Sequence, residues 1–186
     1  MEQMNQAYKV FTRICLNNWH YIDRKVLGLN ESINFFTGHS GSGKSTVIDA
    51  MQIVLYANTD GRGFFNKAAA DDSDRSLIEY LRGMINIGEN NQAEYKRNKN
   101  FSTTIVLEME QTITKEKECI GVVFDVETAT NEINRLFFWH KGELIPGDYR
   151  TESRAMTISE VRSYLQQNFP KDEMFYTSNN ERFRRN

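Results

Sequence analysis

The sequence predicts a mixed α/β domain. Three observations predict it. A short apolar run at 33–36 (INFF) leads into a glycine-rich loop and then into an apolar helical pattern at 45–55. Three alternating, β-branched segments follow one another at 103–110, 118–126 and 136–140. Finally, Thr157-Ile158-Ser159-Glu160 spells a capping box, the sequence signature of a helix start.

Taken in order, residues 11–16 (FTRICL) alternate and read as a strand. Tyr21-Ile22 and Val26-Leu27 read as short strand pieces leading to 33–36. The helix at 45–55 carries Val47, Ile48, Met51, Ile53, Val54 and Leu55. A polar stretch at 56–75 follows, long for a connection without structure of its own. Within it, Phe64-Phe65 reads as an anchor packed on the sheet in preference to a lid. Ser73 or Asp74 caps a short helix over 75–82, which stops at Gly83. A second polar stretch spans 88–100. The three alternating segments then make an antiparallel meander, because polar links too short for a crossover join them. Lys141-Gly142 is expected to turn tightly into 143–145. The capped helix runs to about Asn168 and ends before Pro170. A second capping box at 178–181, with few residues behind it, leads us to expect that the chain is a piece of a longer protein.

The segment Gly38-His39-Ser40-Gly41-Ser42-Gly43-Lys44-Ser45 fits G-x-x-x-x-G-K-[ST]. Successive main-chain N–H groups must converge on one hollow to grip a polyphosphate, and Gly38, Gly41 and Gly43 permit the backbone angles and close approach. The following helix adds unpaired N–H groups and the positive end of its dipole. Lys44 supplies a mobile cation for the outer phosphates. The Ser45 hydroxyl suits Mg²⁺, a hard ion that prefers oxygen, and Thr46 is placed to touch the α-phosphate. ATP and Mg²⁺ are therefore the expected ligands, with residues 38 to 46 as the nucleotide site.

Composition narrows the rest. Lys+Arg 23 against Asp+Glu 25 gives a net charge of −2, so nucleic-acid contact would need a local patch. Two modest basic groups are candidates, Lys96, Arg97 and Lys99, and Arg182, Arg184 and Arg185, against the reading that such charge runs are simply solvated. Cys15 and Cys119 each lie in an apolar run and read as reduced core residues of a cytoplasmic protein. No apolar run approaches a membrane span, so no membrane partner is expected. His20, His39 and His140 are scattered and show no zinc spacing. Trp19 and Tyr21 are either core residues or a platform for adenine.

An ATPase of this type needs a second acidic residue at the end of a hydrophobic strand, the Walker B position, with a group that activates water. The lookalike is 120–125 (IGVVFD), with Asp125 as the metal-shell acid and Glu127 as the base. Against it, a Walker B strand should run parallel to the P-loop strand, and this one sits in a meander. The other reading makes both residues solvent-facing strand-end groups. No catalytic residue is assigned.

The order of these features resembles the N-terminal lobe of the SMC-like (structural maintenance of chromosomes) head ATPases. FFTGHSGSGKSTVIDAMQIVL is similar to that family's Walker A segment. NKAAADDSDRSLIEYLRG, TTIVLEM, IGVVFDVE and RLFFWHKGEL resemble its MukB-like branch, most closely the JetC-type subunits of Wadjet plasmid-defence systems. The resemblance implies an ABC/SMC-type P-loop NTPase fold, with residues 1–186 as a truncated N-terminal ATP-binding lobe. The coiled coil and the C-terminal Walker B lobe of the full-length chain would lie elsewhere. It implies ATP sandwiched between two heads, a kleisin subunit, double-stranded DNA moved by loop extrusion as in condensins, and, for a JetC-type protein, a partner nuclease subunit. It also implies a Q-loop glutamine on Mg²⁺, for which Gln92 is the nearest candidate, and a DNA-sensing arginine, for which Arg82 competes with a plain helix-end role. Two other readings remain: a self-contained small NTPase or kinase using Asp125, and a non-catalytic nucleotide-binding interaction module.

Overall fold

The computed structural model describes residues 6–29, 44–56, 73–88 and 92–178. β1 (Lys9–Trp19) and β2 (Ile22–Gly28) form a hairpin. α1 (Lys44–Tyr56) and α2 (Ser73–Arg82) follow. A separate two-stranded sheet pairs β3 (Met84–Ile87) with β4 (Ala93–Tyr95). Then come β5 (Phe101–Gln111), β6 (Lys117–Glu127), β7 (Glu132–Lys141), α3 (Ile158–Asn168) and β8 (Met174–Thr177). Among the described residues the main sheet has the order β2-β1-β5-β6-β7-β8, antiparallel at every step. The expected meander is β5–β6–β7.

Strand alternation sends successive side chains to opposite faces. Ile105, Leu107, Val122, Phe124 and Phe137 therefore share one face, where Val47, Ala50, Ile53 and Val54 of α1 and Leu77 and Leu81 of α2 cover them. Val106, Cys119, Val123 and Phe138 share the other, under Val161 and Leu165 of α3 and the 142–155 segment. Each Val, Leu, Ile or Phe side chain so buried contributes about 1.5–3 kcal/mol. Both cysteines are free and buried.

α3 opens as its capping box predicts. The Thr157 hydroxyl accepts from the Glu160 N–H at 3.3 Å, and the Glu160 carboxylate accepts from the Thr157 N–H at 3.1 Å. α2 stops at Gly83, whose φ is +68°, and a Cβ there would lie 2.6 Å from the His20 carbonyl oxygen.

Several expectations need correction. The two strand pieces at 21–27 are a single strand, β2, because β1 supplies a continuous antiparallel ladder for it. β7 ends at Lys141, Gly142 has φ +93° at the turn expected there, and residues 143–145 continue without strand pairing. The Leu144 N–H instead donates to the buried Glu108 carboxylate at 3.0 Å, and Leu144 and Ile145 insert into the α3-side core. The β3–β4 pair and β8 are additions, each too short to show a clear period. The strand expected at 33–36, Phe64-Phe65 and the capping box at 178–181 lie wholly or largely outside the described residues.

Candidate nucleotide-binding site

Residues 38–43 of the glycine-rich loop, including His39, lie outside the described residues. Lys44 and Ser45 are the first two residues of α1, the position that aims helix N–H groups at a bound anion. Thr46 is buried, 5% exposed. α1 sits on the sheet through Val47, Ala50, Ile53 and Val54.

Two polar contacts fix the first turns of α1. The Trp19 indole Nε1–H donates to the Thr46 carbonyl at 2.9 Å. The Tyr80 hydroxyl, from α2, donates to Asp49 Oδ2 at 2.7 Å. The two rings stack, with centroids 5.1 Å apart. Burial raises the Asp49 pKa, and the Tyr80 hydrogen bond opposes that rise. Burial and the same bond raise the Tyr80 hydroxyl well above its ordinary value. Trp19 is thus a core residue, fully buried, and no adenine platform. Tyr21 is 54% exposed and donates its hydroxyl to the Met84 carbonyl at 3.0 Å. One signal for the Asp49–Tyr80 pair was present in the sequence: Asp49 falls on a helix that is otherwise apolar on its sheet side, and a buried carboxylate requires a partner.

Asp125 lies away from α1. Val122, Phe124 and Val126 of β6 face α1 and α2, so Asp125 and Glu127 alternate onto the α3 side. There Asp125 Oδ1 accepts from the Ser102 hydroxyl at 2.7 Å and from the Ile158 N–H at 3.1 Å. It anchors the positive end of α3. The Walker B reading of Asp125 fails on this geometry, because the sheet stands between its carboxylate and α1. The strand-end reading also needs amending, since the carboxylate is half-buried and bonded. Asp125→Asn is expected to leave nucleotide binding unchanged and to cost about 1 kcal/mol of stability, as measured by ATP titration and urea unfolding of the same sample.

Gln92 sits in the link between β3 and β4, exposed, where its carbonyl accepts from the Gly88 N–H at 2.8 Å. Arg82 is knitted into the end of α2. It donates to the Arg97 carbonyl at 3.1 Å and to Asn131 Oδ1 at 2.8 Å, and its guanidinium lies 4.1 Å from the Tyr95 ring centre. Arg97 is buried and binds main-chain carbonyls, so the run at 96–99 offers phosphate no three-cation patch. Lys96 pairs with Asp23 at 2.9 Å. Arg182, Arg184 and Arg185 lie outside the described residues. His140 is buried, its Nε2 2.6 Å from the Tyr149 hydroxyl. Among the described residues no group of three or more His, Cys, Asp or Glu could hold a metal ion. No described helix is long and apolar enough to cross a membrane.

Residues 11–72 match the family model described as the P-loop containing region of AAA domain. The chain carries a P-loop NTPase region. The matched stretch takes in most of β1, all of β2, the glycine-rich loop and α1. Regions of this kind bind nucleotide, usually with Mg²⁺. No curated protein matches the chain.

Proposed function

We propose that this chain is the N-terminal ATP-binding lobe of an SMC-like head, of the MukB-like and JetC-like kind. Residues 38–46 would hold ATP, with Ser45 on Mg²⁺ and Gln92 as a second metal contact. The observation that carries the reading is a pairing. The P-loop motif leads into a helix on one face of the sheet, while Asp125, the Walker B lookalike among the described residues, serves α3 on the other. A P-loop without its metal-shell acid binds nucleotide but lacks the groups that stabilise the transferring phosphoryl. Those groups would come from the C-terminal lobe of the full-length chain and from a second head across an ATP sandwich. Engagement and release of heads joined by a kleisin would then move double-stranded DNA by loop extrusion. In a JetC-type system this would expose circular plasmid DNA to a partner nuclease subunit. The resemblance in the words around the P-loop and the meander supports this finer reading.

The expected result is that the purified chain binds ATP·Mg²⁺ yet releases no phosphate in the steady state. Sustained phosphate release that disappears in Lys44→Ala would show the chain to be a complete NTPase and would overturn the half-head reading.

A further inference from the structure

The backbone around Trp19 departs from ordinary strand geometry on both sides. Asn18 has φ +54° and His20 φ +52°, left-handed values that side-chain-bearing residues rarely adopt. His20 belongs to the tight β1–β2 turn. Asn18 does not, and its left-handed kink has a consequence for the strand. Ile14 and Leu16 face α1, with Cys15 on the opposite side, so unbroken alternation would send Trp19 to the side of Cys15. The kink turns Trp19 onto the face of Ile14 and Leu16 instead. Two bonds hold the kink: Asn18 Nδ2–H to the Ser102 carbonyl at 3.0 Å, and the Thr103 hydroxyl to the Asn18 carbonyl at 2.8 Å. Asparagine tolerates this conformation, and a departure from strand geometry held by two bonds points to a role for the residue it redirects.

What the kink delivers is one hydrogen bond and one stack. The Trp19 indole N–H reaches the carbonyl of Thr46, two residues past the P-loop lysine, and the indole ring lies on Tyr80. Tyr80 reaches Asp49, one turn after Ser45 on the same helix. The Tyr80 carbonyl also accepts from the His20 N–H at 2.7 Å, which ties the β1–β2 turn to α2. The opening turns of α1 are thus gripped by the turn region of β1 and by α2.

We infer that Trp19 and Tyr80 are positioning residues of the nucleotide site: by holding Thr46 and Asp49 they set where the N-terminal amides of α1 point, and so set the affinity for a nucleoside triphosphate with Mg²⁺. The inference rests on the P-loop reading. We assign neither side chain a contact with the nucleotide. Both act through α1, by fixing before binding the orientation that would otherwise be ordered during it.

The experiment uses the whole chain and ATP·Mg²⁺. Calorimetric titration of wild type, Trp19→Phe, Tyr80→Phe and Lys44→Ala, well below each unfolding temperature, gives the affinity of the folded protein. Each aromatic variant is expected to bind about fivefold more weakly, the worth of one lost hydrogen bond. A purely structural role lowers the unfolding temperature and leaves that affinity unchanged, which would overturn the inference. The indole N–H resonances give a readout that needs no variant at position 19. In ¹⁵N-labelled protein, with the Trp139 signal assigned from Trp139→Phe, the Trp19 signal should move on addition of ATP·Mg²⁺ in the wild type and stay fixed in Lys44→Ala. A Trp19 signal unmoved by saturating nucleotide would overturn the inference. Wild-type binding that is lost in Lys44→Ala but intact in both aromatic variants removes this inference alone. Absence of binding by the wild type removes it together with the P-loop reading.

Discussion

Arg97→Ala is expected to lower stability by about 3–5 kcal/mol, among the largest single effects in the described part of the chain. Arg97 is 8% exposed, and its guanidinium donates to three carbonyls from different elements. Those are His20 at 2.8 Å, Leu81 at 3.0 Å and Ile22 at 2.9 Å. Burial pulls its pKa down to about 10, with Asp23 opposing, so it stays charged at neutral pH. Truncation strands three acceptors, one buried and two partly buried, at the point where β1, β2 and α2 meet. Arg97→Lys keeps the charge but lacks the planar fork, so it should recover only part of the loss. Urea unfolding of the three proteins measures this. A loss under about 0.5 kcal/mol in Arg97→Ala, the range of ordinary surface changes, would mean that the three bonds do not stabilise the junction.

Glu108 yields the second large effect, and it depends on pH. Its carboxylate is fully buried on the α3 side of β5. Burial alone would raise its pKa. The Arg13 guanidinium (2.9 and 2.6 Å), the Leu144 N–H (3.0 Å) and the Thr12 hydroxyl (2.8 Å) outweigh burial and hold it at about 2. A carboxyl whose folded pKa lies below its unfolded value contributes stability above the unfolded value, and loses it as pH falls toward the folded one. That window runs from about 4.5 down to about 2 here. Across it the wild type should lose about 3 kcal/mol on account of this one group. Glu108→Gln should cost about 3 kcal/mol or more at pH 7, because Arg13 and the Leu144 N–H lose their charged acceptor. Its stability should then fall less steeply between pH 5 and pH 2. Parallel pH–stability curves for the two proteins would contradict this assignment.

The fold was legible where local signals were strong. β5, β6 and β7 show unbroken alternation, and α3 carries both halves of a capping box, so each could be placed without tertiary information. The β1–β2 hairpin was only half legible, because β2 is largely polar along its exposed stretch and owes its strand state to the ladder with β1. β8 has four residues, too few for a period to register. At the site, the residues proposed to bind phosphate announced themselves through glycine spacing. Their supports did not: the Trp19–Thr46 bond joins residues far apart in sequence, and it depends on a left-handed residue at Asn18 that alternation cannot foresee. Asp125 illustrates the same limit. That it shares a face with Glu127 follows from the sequence, but which helix covers that face follows only from the packing.

The central claim is that residues 38–46 grip a triphosphate with Mg²⁺. Calorimetric titration of the chain with ATP·Mg²⁺, beside Lys44→Ala of matched secondary structure and unfolding temperature, tests it most directly. Saturable one-to-one binding by the wild type, weakened by about a hundredfold or more in Lys44→Ala, is the predicted result, since a charge-assisted contact to phosphate is lost. Equal binding by both proteins, or none by the wild type, would contradict it.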